Sequence, residues 1–143
     1  MSPFFIIDTN VVVAGLLTAH ADSPVARILD GMLRAAFPFV VSEALLAEYH
    51  AVLVRPRIAA LHALSADEVE ILLTDIARHA IVLPAGTATA VTRAPDAGDQ
   101  LLWDLLATRA DLILVTGDKL LLQDPAMGHR VMLPATLASR LQH

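Results

Sequence analysis

The chain has 143 residues, the length of one domain able to bury about two-thirds of the surface its unfolded form exposes. A formal net charge of −5 and a pI near 5.5 exclude a protein that coats nucleic acid by bulk positive charge, so any phosphate partner must be held by local groups. With no cysteine it can form neither a disulfide framework nor a thiolate zinc site, and no two of its six histidines have the spacing of a helical zinc-protease pair.

In chain order, the first element is the short apolar run Phe4 to Ile7, which reads as a buried strand and ends at the polar triplet Asp8-Thr9-Asn10. There is no Lys or Arg in the first twenty residues, and Asp8 interrupts the apolar run. That pattern suits neither a signal peptide nor a membrane span, and the expected location is the cytoplasm. Helical spacing covers Pro24 to Ala36, followed by a strand at Phe39 to Val41 and a helix from Glu43 to Val54. Arg55-Pro56-Arg57 is a loop signal, and a helix follows from Ala66 to His79. A strand at Ile81 to Leu83 leads to a second loop signal, Pro84-Ala85-Gly86-Thr87. The remaining elements are a helix from Gly98 to Arg109, strands at Leu112 to Val115 and Val131 to Leu133, and a last helix from about Ala135 to Leu141.

This alternation predicts an α/β fold, a three-layer α/β/α sandwich around a parallel sheet of four to five strands, with residues 1–143 as a single domain. Apolar residues make up 56% of the chain, above the roughly 45–50% of ordinary soluble domains, which suggests surface buried against a second copy or another protein.

Open sheets of this kind build their sites at the carboxyl ends of the strands. Asp8 directly follows the first strand, and Thr116-Gly117-Asp118 follows the fourth, so both acids belong to one edge. On the helix from Glu43, a rotation of about 100° per residue puts Glu48 beside the apolar stripe of Leu45, Tyr49 and Val52, with Glu43 facing water. Asp99 lies in the first turn of a helix whose N-terminus is at the same edge.

Taken singly, each acid has an ordinary reading. An Asp at a strand end often bonds its own backbone, Asp96 can cap a helix, and Glu48 can simply be solvated. Taken together, Asp8, Glu48, Asp99 and Asp118 would repel one another in a single crevice, which calls for a divalent cation among them. Trp103 reads as an edge or interface residue, His50 and His79 as surface or helix-end residues, and Thr9 as a partner for local backbone groups.

At this point the residues resemble a known family. The strand running into Asp8-Thr9-Asn10-Val11, the segment Ser42 to Tyr49 with Val52-Leu53-Val54-Arg55-Pro56-Arg57, and Ala110-Asp111-Leu112-Ile113-Leu114-Val115-Thr116-Gly117-Asp118 are similar to a PIN domain. The resemblance is to the VapC-related branch of toxins in toxin-antitoxin systems. It implies a magnesium-dependent ribonuclease, with manganese as an alternative ion, that cuts single-stranded RNA to leave a 5′-phosphate and a 3′-hydroxyl. Carried over by position, Asp8, Glu48, Asp99 and Asp118 would hold the metal, and Asn10, Thr116 and Asp96 would orient carboxylates or water. A protein antitoxin and a second copy of the chain are the implied partners. The branch pattern Arg-Asp-Pro-x-Asp-Asp is here Arg93-Ala94-Pro95-Asp96-Ala97-Gly98-Asp99, departing at Ala94 and Ala97.

An acidic site in an acidic chain needs separate cations for RNA, and Arg55, Arg57, Lys119 and Arg93 are nearest in sequence to the crevice. Few neutralised phosphates imply a shallow salt dependence. Two other readings compete. A haloacid-dehalogenase-type phosphatase also starts with a strand and an Asp, but it needs a second Asp where this chain has Asn10. A non-catalytic PIN module that binds RNA or a protein is motivated by Ala94 and Ala97.

Overall fold

The computed structural model describes residues 3–84 and 93–141. Five strands, β1 (Phe4–Ile7), β2 (Phe39–Val41), β3 (Ile81–Val82), β4 (Leu112–Val115) and β5 (Val131–Met132), form one sheet in the order β3-β2-β1-β4-β5. Every pairing is parallel. Helices flank the sheet, as the alternation of elements predicts. No helix among the described residues is long and apolar enough to cross a membrane.

The strands form where the apolar runs are continuous because parallel strands are covered on both faces. Ile6, Ile7, Phe39, Val40, Val41, Leu114 and Val115 are all buried. Each large apolar side chain removed from water contributes about 1.5–3 kcal/mol, so these short strands are held chiefly by what packs on them. The loop signal at 84–87 lies outside the described residues beyond Pro84.

Helix starts follow local chemistry. Ser23 Oγ accepts from the Ala26 N–H to open α2 (Pro24–Leu33), and Ser42 Oγ accepts from the Leu45 N–H to open α3 (Glu43–Leu53). Ser65 and Glu68 form a reciprocal capping box on α5 (Ala66–His79).

Three expectations need correction. The run Thr9–Leu17 is a helix, α1, which the sequence pattern did not predict; Val11 to Val13 have the β-branched character of a strand but leave the sheet to pack inside. Gly15 lets α1 approach α2 closely, since a Cβ there would come within 2.6 Å of the Val25 carbonyl oxygen. Arg55-Pro56-Arg57 is not a loop but the start of α4 (Pro56–His62), because Pro at the first helical position needs no N–H and has its φ already set. The span predicted as one helix from Gly98 to Arg109 is a 3-10 turn, Ala97–Asp99, followed by α6, Gln100–Leu106. The chain ends with α7 (Lys119–Leu122) and α8 (Pro134–Arg140).

Trp103 also departs from expectation. It is fully buried in the core with Leu102, Leu105 and Leu106, not placed at an edge. His50 is half-buried with its Nε2 3.0 Å from Glu70 Oε1, and His79 at the end of α5 contacts the Asp75 carbonyl at 2.9 Å.

Candidate active site

The sheet register builds the floor of the site. β1 and β4 pair Ile7 with Val115, so the next residues, Asp8 and Thr116, leave the sheet side by side. The Asp8 N–H donates to the Val115 carbonyl and the Thr116 N–H to the Met132 carbonyl, both at 3.0 Å. Strand order also reverses between β1 and β4, with β2 and β3 on one side and β5 on the other. A crevice outside the carboxyl ends at such a switch point is where open α/β sheets bind ligands.

Asp8 and Thr116 are both buried. The Thr116 hydroxyl donates to Asp8 Oδ2 at 2.7 Å and accepts the Asp118 N–H at 3.0 Å. Thr116 thus ties the Asp8 carboxylate to the turn that carries Asp118. Across the crevice α3 presents Glu48, half-buried, while Glu43 is exposed as the helical phase predicts.

Asp8, Glu48, Asp99 and Asp96 line one cleft of about 280 Å³, together with Thr9, Asn10, Val52, Arg55 and Gly98. A larger groove of about 380 Å³ lies between α3 and α5, but among the described residues its one carboxylate, Glu70, already meets His50 Nε2 at 3.0 Å. The smaller cleft is therefore the one in which four carboxylates, Asp8, Glu48, Asp96 and Asp99, converge on a single described cation, Arg55.

Asp118 stands apart from that lining. Its Oδ1 accepts the Leu120 N–H at 2.9 Å as the cap of α7, although its charge is felt at Asp99. Asp96 caps the 3-10 turn, its Oδ1 accepting the Gly98 N–H at 2.9 Å, so the ordinary capping reading holds for it alongside its place in the cleft. Asn10 is exposed on the cleft wall. Of the four cations singled out in the sequence, only Arg55 lines the cleft; Arg57, Arg93 and Lys119 are exposed and outside it.

The electrostatics reflect the crowding of like charge. Burial raises the Asp8 carboxyl above its usual range, opposed by the Thr116 hydroxyl and reinforced by Glu48. Partial burial pushes Asp99 up to about 6, and the charges of Asp8, Asp118, Asp96 and Glu48 add to the effect. Folding thus gathers carboxylates at a net electrostatic cost, which a cation would reverse. The donors are all hard oxygens, the set magnesium takes, so the residues fit such an ion by chemistry and charge. As they stand, no three acidic or histidine side chains among the described residues are close enough to enclose one. Magnesium keeps several waters and needs only one or two direct carboxylates, so a closed cage is not required.

Two residues of this site escaped the sequence reading. The Thr9 hydroxyl does not bond local backbone as expected; it donates to Glu48 Oε2, 39 positions away. The Tyr49 hydroxyl, fully buried, donates to the Ile7 carbonyl. No local pattern signals either contact, because each is made across the fold.

A parallel five-stranded sheet flanked by helices, with an acidic cleft at its switch point, defines the class of open α/β proteins that carry their site at the carboxyl edge. The family model described as PIN domain matches residues 5–120, and the chain belongs to the PIN domain family. PIN domains are typically nucleases and generally use divalent metal ions. No curated protein matches the chain.

Proposed function

We propose that this protein is a magnesium- or manganese-dependent endoribonuclease that hydrolyses phosphodiester bonds in single-stranded RNA. The observation that carries the reading is the convergence of Asp8, Glu48 and Asp99 in one cleft, with Arg55 as the one cation among its described lining residues. Asp8, Glu48, Asp99 and Asp118 would hold the ion, with Thr116, Asn10 and Asp96 orienting carboxylates or water. When bound, a divalent ion supplies an acidified water and neutralises charge on the attacked phosphate. Asp8 is kept in one orientation by Thr116. Arg55 contacts a phosphate of the substrate from within the cleft, and Arg57, Lys119 and Arg93 attract the flanking RNA.

The cellular role that fits the resemblance is a cytoplasmic toxin neutralised by a protein antitoxin, with the whole chain acting as one domain in a homodimer or larger assembly. The 56% apolar composition, above that of ordinary soluble domains, is what supports a protein partner.

The test is cleavage of an end-labelled, structured RNA pool in magnesium or EDTA by the wild-type protein and Asp8→Asn. Cutting that is lost in both EDTA and the variant is the expected result. Equal cutting by the variant, or none by either protein in magnesium and manganese, overturns the reading. Metal binding without turnover would instead favour the non-catalytic module suggested by Ala94 and Ala97.

A further inference from the structure

Asp8 is bracketed by two contacts from consecutive residues of α3. The Tyr49 hydroxyl donates to the carbonyl of Ile7, one residue before Asp8, and the Thr9 hydroxyl, one residue after it, donates to Glu48 Oε2. Thr9 is 4% exposed and Tyr49 is fully buried, so neither hydroxyl competes freely with water. Both contacts join α3 to the junction of β1 and α1, elements far apart in sequence.

Glu48 needs such a restraint. Its side chain has several rotatable bonds, and its charge faces those of Asp8 and Asp99. Unrestrained, it gains entropy and loses repulsion by turning out to solvent. The hydroxyl of Thr9 donates to one oxygen of the carboxylate, and Glu48 at the same time lines the cleft.

Resting on the metal-nuclease reading, we propose that Thr9 is a positioning residue for the divalent-ion site. Its hydroxyl holds the Glu48 carboxylate over the cleft, while Tyr49 locks α3 to the end of β1, so the Asp8 and Glu48 carboxylates are set relative to each other before an ion arrives. Neighbours that orient metal ligands are commonly worth about 10–100-fold in metal affinity.

The test is calorimetric titration with manganese alone, in the absence of RNA, with the melting temperature measured for each variant. Thr9→Val keeps the shape and removes the hydroxyl; it should weaken manganese binding by about 10–100-fold. Thr9→Ser restores the hydroxyl and should restore the affinity. In a Glu48→Ala background, which removes the acceptor, Thr9→Val should cost little more, because the two residues act through one contact. Wild-type affinity in Thr9→Val, or losses that simply add, overturns the proposal. Should Thr9→Val fail to melt cooperatively, Thr9→Ala and Tyr49→Phe carry the test, and undiminished affinity in both overturns it. A wild-type protein that binds no manganese overturns the metal-nuclease reading and this proposal with it; intact wild-type binding with an indifferent Thr9 overturns this proposal alone.

Discussion

Thr116→Val is the most informative perturbation of the floor of the site. The substitution keeps the branched shape and removes the hydroxyl that donates to Asp8 Oδ2 at 2.7 Å and accepts the Asp118 N–H at 3.0 Å. The first contact is buried and ends on a carboxylate, a class worth about 1.5–3 kcal/mol; the second, partly buried, is worth about 1 kcal/mol. Their joint loss should lower stability by about 2.5–4 kcal/mol, well outside the effect of an ordinary surface change. For a chain of this size that corresponds to a fall in Tm of about 5–15 °C. Trp103 is the only tryptophan and is fully buried, so its fluorescence during urea denaturation reports unfolding directly.

The effect also has a pH signature. The Thr116 hydroxyl opposes the burial that raises Asp8, so its contribution is present while Asp8 is ionised. It shrinks as pH falls through the folded pKa of Asp8, which lies above the ordinary carboxylate value. The gap between wild type and Thr116→Val should be widest near neutrality and narrower in acid. A variant within about 0.5 kcal/mol of wild type at neutral pH would refute the account.

Two further predictions concern the ion and the substrate. Asp99 titrates near 6 when folded against 3.8 ordinarily, so between those values the folded chain keeps a proton that the unfolded chain has released. The stability contributed by Asp99 therefore falls as pH rises through that window, and a cation must displace the same proton to use the carboxylate. Manganese affinity should increase as pH rises through about 6 and then level off, with the step smaller in Asp99→Asn, where Asp8 alone still has a proton to lose; a flat calorimetric profile for wild type would refute it. Arg55 alone among the candidate cations lines the cleft, so Arg55→Ala should raise KM for an oligoribonucleotide by about tenfold or more, the worth of a charge-assisted contact. Arg57→Ala and Lys119→Ala should have much smaller effects in the same steady-state assay, and equal effects from all three would count against a specific role for Arg55.

The strands and the acidic edge were legible in the sequence because their causes are local. Continuous apolar runs at 4–7, 39–41 and 112–115 mark strands covered on both faces, and a polar residue directly after such a run must stand at the carboxyl end. The phase of α3 likewise separates half-buried Glu48 from exposed Glu43 without reference to any other element. Where packing overrides propensity, the sequence was silent or misleading. Val11 to Val13 carry strand character yet form α1, since the chain turns at Asp8 and packs against α2 through Gly15. Trp103 could serve an edge or a core, and only the assembled layers bury it completely.

The same division runs through the site. Periodicity and chain order determine that Asp8, Glu48, Asp99 and Asp118 approach one edge of the sheet. Tertiary structure decides which of them share a cleft, that Asp118 is drawn aside to cap α7, and that Arg55 stands among the acids while Arg57 does not. It also decides that Thr9 holds Glu48 and Thr116 holds Asp8, contacts spanning 39 and 108 positions. A hydrogen bond depends on about 3 Å of separation and on direction, quantities that spacing along the chain does not carry until the strands are in register and the helices are packed.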